Sequence, residues 1–144
     1  HSQLQALMET LWEEQVAQED ALIAQGLGFV SDRSPVDFLA FWMNYGLVHD
    51  ADASTAVAEK VRARIPLFDR IVLLPFGVLP LKQDGVRSTN PWLQRRFQAT
   101  VRGLLEEEVG APRFAQLPPL TALKERVLWC ADLLVRAGEF ARRP

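Results

Sequence analysis

The sequence predicts an α/β fold in which a parallel sheet is covered by helices on both faces, a three-layer arrangement. Three observations predict it. Short apolar runs at residues 28–32, 70–74 and 113–117 alternate with longer amphipathic segments. The run Arg70-Ile71-Val72-Leu73-Leu74-Pro75 is continuous and β-branched, as a strand buried on both sides requires. With 144 residues, 49% of them apolar, the chain holds hydrophobic material for one compact core, so residues 1–144 are expected to form a single domain.

The elements follow in order. From residue 3 to about 25, Leu4, Leu7, Met8, Leu11, Val16, Leu22 and Ile23 recur among Glu9, Glu13, Glu14, Glu19 and Asp20, an amphipathic helix ending at Gly26. Gly28-Phe29-Val30-Ser31-Asp32 reads as a short buried strand. Ser34-Pro35-Val36-Asp37 opens a helix, with Ser34 as cap, Pro35 at the first helical position and Asp37 as the capping-box acid; the helix runs to Gly46. Asp52 or Ser54 begins the next, which carries Val57, Val61 and Ile65 up to Pro66. After the strand at 70–74, residues 76–89 form a lid-like loop without periodicity. Asn90-Pro91 starts a helix with Leu93, Phe97, Val101 and Leu104 or Leu105 on one stripe, ending at Gly110. A strand at 113–117 and a helix from about Thr121 to Gly138, with Leu123, Val127, Ala131 and Leu134 on one face, complete the chain.

Sixteen basic against 18 acidic side chains leave a formal charge of -2, which gives no field to draw in nucleic acid or a membrane surface. No apolar stretch approaches the roughly 20 residues that span a bilayer. The single Cys130 excludes an intramolecular disulfide and a cysteine zinc site and fits a reducing cytoplasm; His1 and His49 do not suffice for a multi-histidine metal site. A nucleophile with a spaced histidine and acid is missing, so hydrolase chemistry of that kind is not supported.

Ligands of parallel sheets bind at the carboxyl ends of strands, which singles out Asp32, Arg33 and Ser34 and the loop 76–89. A carboxylate such as Asp32 can take a proton from a hydroxyl or hold a metal-bound water, and Arg33 beside it can clamp a phosphate. A turn contact or ion pair is the alternative for the same two residues, and a helix cap explains Ser34 and Asp37. In Asp84-Gly85-Val86-Arg87-Ser88-Thr89, Arg87 beside Gly85 can fold over a polyphosphate; the alternative is a solvated loop. Arg95 and Arg96 point about 100° apart on a helix, so at most one serves a site. Phe38, Phe41, Trp42 and Tyr45 form a stripe suited either to a flat heterocycle or to a core.

In combination, the segment from Phe29 to Ala40, the strand Ile71 to Pro75 and the segment Asp84 to Thr89 resemble the middle of P-loop kinases and AAA-type ATPases of the nicotinamide riboside kinase-like group. The likeness covers most of residues 20–138. It implies a P-loop fold and ATP-dependent phosphoryl transfer to a small hydroxyl-bearing acceptor such as a nucleoside, with ATP and Mg²⁺ as cofactors. Asp32 would be the base or a water-mediated Mg²⁺ ligand, and Arg33 and Arg87 would act on the phosphates. Arg95 would join Arg87 there, and Asp37, Trp42 and Tyr45 would contact the acceptor. The family opens with a strand and a Gly-rich loop ending Gly-Lys-Ser/Thr, whereas Lys60, Lys82 and Lys124 stand in no such setting. The resemblance therefore implies an N-terminal segment ahead of His1 that carries this loop, and weak ATP binding by the 144 residues alone. A second copy or that segment would cover the apolar edge left by the absent strand. The alternative is a non-catalytic binding or regulatory module on the same scaffold.

Overall fold

A computed structural model describes residues 2–80, 89–111 and 113–141. The chain divides into two units, His1–Ile65 and Pro66–Pro144.

The N-terminal unit contains three helices, α1 (Ser2–Ala24), α2 (Pro35–Asn44) and α3 (Ala51–Arg64). The first two end in the same way. Gly26 and Gly46 adopt φ of 70° and 75°, which an L side chain resists, and each lets the next amide reach back five residues. Leu27 N–H thus donates to the Leu22 carbonyl at 3.0 Å, and Leu47 N–H to that of Trp42 at 3.1 Å. Helix α2 begins as its sequence dictates, with Pro35 in the first turn and a reciprocal Ser34–Asp37 capping box. Helix α3 starts slightly earlier than the sequence predicts: Asp50, not Asp52 or Ser54, is the cap and accepts from Ala53 N–H at 2.9 Å. Three eligible capping residues at alternate positions made that start ambiguous. The core of the unit is Met8, Trp42 and Leu47, with Leu4, Phe38, Phe41, Ala53 and Val57 packed against them. Trp42 buries its polar edge by donating from Nε1 to Ser54 Oγ at 2.9 Å.

The C-terminal unit contains β1 (Ile71–Leu73), α4 (Pro91–Leu104), β2 (Phe114–Gln116) and α5 (Leu123–Ala141). The two strands pair in parallel, with Ile71 opposite Phe114 and Leu73 opposite Gln116. Parallel strands need a long crossover, and α4 lies within it. Asn90 caps α4 by accepting from Trp92 N–H at 3.0 Å. Gln98 Nε2 donates to the Leu74 carbonyl at 2.9 Å and Arg102 to Gln116 Oε1 at 2.6 Å, which ties α4 to both strands. Val101, Leu104 and Leu105 are buried, as are Ile71, Leu73 and Leu117. After Leu104 the helix widens into one π-type turn, Leu105–Val109, closed by Gly110 N–H on the Leu105 carbonyl at 2.9 Å. Helix α5 runs past Gly138, and its Leu123, Val127 and Leu134 are exposed.

The three-layer P-loop-like α/β fold is corrected by this architecture. Among the described residues there are five α-helices and one sheet of two three-residue strands. The strand predicted at 28–32 is irregular chain, and Val30 within it is 97% exposed. A strand persists where a neighbour completes its ladder; the described residues of the N-terminal unit offer helices only. Asp84 and Arg87 of the lid-like loop, with the rest of 81–88, lie outside the described residues. No helix among the described residues is long and apolar enough to cross a membrane.

Candidate functional site

Helices α1 and α2 and the loop between them line an open groove of about 640 Å³. Its apolar wall comes from Leu4, Leu7 and Leu11 of α1 and from Phe38 and Phe41 of α2. Glu14, Gln15 and Gln18 of α1, with Ser31, Asp32 and Arg33 of the loop, supply polar groups, and Tyr45 beyond α2 supplies a half-exposed ring.

The groove's aromatic and cationic groups are in contact. The Phe41 and Tyr45 rings stack with centroids 5.6 Å apart and planes within 7°. The Arg33 guanidinium carbon lies 5.0 Å from the Phe41 centroid, within cation–π range. Arg33 also faces Asp37 across 3.7 Å, a loose pair whose cation is 45% exposed. Exposed pairs of this kind contribute little, about 0–1 kcal/mol, so an incoming anion can compete for the guanidinium.

A polar cluster fixes the loop. The two N–H groups of Gln15 Nε2 face three acceptors, Glu19 Oε1 at 2.8 Å, the Arg33 carbonyl at 3.0 Å and Ser31 Oγ at 3.1 Å, so one of them is shared between two. Glu19, only 5% exposed, receives Arg64 Nη2 of α3 at 2.6 Å, and Asp20 receives Nη1 at 2.5 Å. Burial works to lower the Arg64 pKa, but the hydrogen bonds it donates to Asp20 and Glu19 and the charges of those carboxylates outweigh it, and the pKa lies above its ordinary value. The charge and the stability it lends persist through ordinary pH and are lost only as pH rises through that elevated value.

Of the residues the sequence singles out, Asp32, Arg33 and Tyr45 line this one groove. Asp37 does not line it and is engaged elsewhere: its Oδ2 accepts from Ser34 N–H at 2.9 Å and Ser34 Oγ at 2.8 Å. Trp42 is buried in the core and lines a different, smaller cavity of about 50 Å³ with Met8, Trp12 and Phe38. Arg95 is exposed on α4 in the C-terminal unit. Arg87 lies outside the described residues.

Sequence reasoning missed Gln15, Glu19 and Arg64. The signal was present in α1, where Met8, Trp12, Gln15, Glu19 and Leu22 follow the 4-3-4-3 spacing of an inward line. Two polar residues on that line need internal partners, as buried polar groups do.

The donor set does not fit resident Mg²⁺. Asp32 and Glu14 are the carboxylates of the groove, and no group of three or more His, Cys, Asp or Glu side chains that could hold a metal occurs among the described residues. Nor does a Gly-rich loop ending in Gly-Lys-Ser/Thr occur in the 144 residues to cage ATP phosphates. No family model, no curated protein and no solved structure matches the chain.

Proposed function

We propose that the N-terminal unit is the acceptor-binding part of an enzyme that transfers a phosphoryl group from ATP to a small hydroxyl-bearing molecule with a flat ring, such as a nucleoside. One observation carries the reading: Asp32, Arg33 and Tyr45 line the same groove as the Phe41 ring. The acceptor ring lies against Tyr45 and Phe41, where apolar contact and stacking hold it. Asp32 accepts the hydroxyl hydrogen and takes the proton as the oxygen becomes a nucleophile. Arg33 offers its planar donors to an anionic group. These residues bind and orient the acceptor; the cage for the donor phosphates is not among them.

Calorimetric titration of the chain with adenosine, adenosine 5′-monophosphate and Mg-ATP tests the reading. Saturable binding of nucleoside or monophosphate at one site, weakened by Tyr45→Ala and, for the monophosphate above all, by Arg33→Ala, supports it. Absence of binding by both adenosine and its monophosphate overturns it.

The fold favours a second reading, a non-catalytic binding module. The groove is formed by two helices and a loop, and its shape asks nothing of a nucleotide site. Turnover separates the two. ATP-dependent phosphorylation of the bound acceptor supports the enzyme, and Asp32→Asn should then lower kcat more than it raises KM. Binding of adenine, which carries no hydroxyl to receive a phosphoryl group, as tightly as adenosine supports the module.

A further inference from the structure

The loop that carries Asp32 and Arg33 has no regular secondary structure, yet both residues must be held at the groove for it to select a ligand. Gln15 supplies the holding contacts from α1. Its amide nitrogen reaches the loop at two points that bracket Asp32, Ser31 Oγ on one side and the Arg33 carbonyl on the other. Ser31 Oγ also receives Arg33 N–H at 3.4 Å, which folds the loop locally around Asp32.

The orientation of the Gln15 amide is itself determined. Glu19 Oε1 and the Arg33 carbonyl can only accept, so the side facing them must be the NH₂. A flipped amide would set its oxygen against both. Glu19 is held in turn, because Arg64 Nη2 occupies its Oε2 while Oε1 remains for Gln15. A continuous path of hydrogen bonds therefore runs from α3 through α1 to the loop.

We infer that Gln15 is a positioning residue of the acceptor groove, set by the Glu19–Arg64 pair to hold Asp32 and Arg33 in place. Its connection to ligand binding rests on the reading of the groove given above; its action on the loop does not. The two are tested on separate readouts.

Backbone ¹⁵N relaxation of the full chain reports the loop directly. In the wild type, the amides of Ser31, Asp32 and Arg33 should show order parameters near the rigid value of about 0.85. In Gln15→Leu, which keeps the bulk and removes the donors, they should fall below about 0.6 while α1 and α2 keep their values. Gln15→Glu, of the same shape but with a carboxylate against two acceptors, should give at least as large a drop. Ser31→Ala removes one anchor without touching α1 and should give a smaller drop at the same amides, which keeps the test decisive if the Gln15 variants unfold. The affinity for adenosine 5′-monophosphate should weaken roughly tenfold in Gln15→Leu, measured at a temperature where the variant is fully folded, as expected when a site is loosened rather than removed. Unchanged order parameters at residues 31–33 in these variants overturn the positioning role. Loosened amides with unchanged affinity overturn its connection to the groove. Failure of the wild type to bind the monophosphate and adenosine counts against the proposed function and leaves the relaxation result to decide the role of Gln15 on the loop.

Discussion

Two apolar runs in this chain read alike and fold differently. Residues 70–74 become a strand, with Ile71 and Leu73 buried and a parallel partner in β2. Residues 28–32 stay irregular and expose Val30 almost completely. The difference lies in what receives the backbone. Ile71 N–H donates to the Arg113 carbonyl at 3.0 Å and Leu117 N–H to the Leu73 carbonyl at 2.9 Å, so main chain answers main chain. Around residues 31–33 a side chain, Gln15, answers instead. A ladder fixes every residue of a run regardless of its side chains, whereas a side-chain tether fixes only the points it touches. The tethered run is the one that presents Asp32 and Arg33 to a groove, in keeping with the general placement of binding groups on loops held by a rigid scaffold.

The tether's foundation is the largest target. Arg64→Leu leaves Glu19 buried without its cation, and breaking a buried pair by removing one partner typically costs about 3–5 kcal/mol. Urea unfolding should show a loss of that order, and the double variant Glu19→Leu/Arg64→Leu should recover most of it, since replacing both members of a buried pair with apolar residues is often close to neutral. A double variant as unstable as the single one would show that Asp20 or packing, not the Glu19 charge, governs the cost.

On the other side of the comparison, Leu73→Ala empties a buried position in β1 and should cost about 3 kcal/mol by the same measurement. A loss below about 1 kcal/mol would mean that the strand is held by its ladder alone and that its side chains count no more than those of the loop.

Ser31→Ala comes next. It removes an acceptor shared by Gln15 and Arg33 N–H, and a net loss of about 1 kcal/mol follows from the usual worth of such hydrogen bonds. No loss at all would show that the Arg33 carbonyl is the anchor that matters.

The sequence made some of this contrast legible. Local signals set the helix ends: Ser34-Pro35-Val36-Asp37 opens α2, Asn90-Pro91 opens α4, and Gly26 and Gly46 close α1 and α2 through contacts a few residues away. The two strands near 71–73 and 114–116 and their parallel sense were also readable, because a helical segment separates two short apolar runs; which run pairs with which was not. The fate of 28–32 was not, since Gly28-Phe29-Val30 has strand composition and only the tertiary surroundings decide whether a neighbour exists. For the candidate site, Asp32, Arg33 and Tyr45 could be named from residue chemistry. Gln15 and Glu19 could not, because polar residues in an amphipathic helix are assigned by default to the wet face. The 4-3-4-3 line they share with Met8 and Trp12 was there to read, but spacing alone does not say which face of a helix turns inward.

The smallest effect isolates the contrast most cleanly, because one substitution can be made in both runs. Val30→Ala and Val72→Ala remove the same two methyl groups. Val30 is 97% exposed, so the truncation neither opens a cavity nor returns buried apolar surface to water, and stability should change by no more than about 0.5 kcal/mol. Val72 lies in β1 at intermediate exposure, paired with Ala115, and its β-branched side chain favours the extended backbone while shielding part of the sheet. Its truncation should cost about 1 kcal/mol on the scale that separates good from poor strand formers. Thermal unfolding of the two variants beside the wild type reads the difference. Equal and sizeable losses would mean that Val30 is covered by another surface in solution, and the groove beside it would then have a partner larger than a nucleoside. A negligible change at Val30 with a measurable one at Val72 leaves the run 28–32 as an exposed arm held by Gln15, free at its apolar tip to receive a ligand.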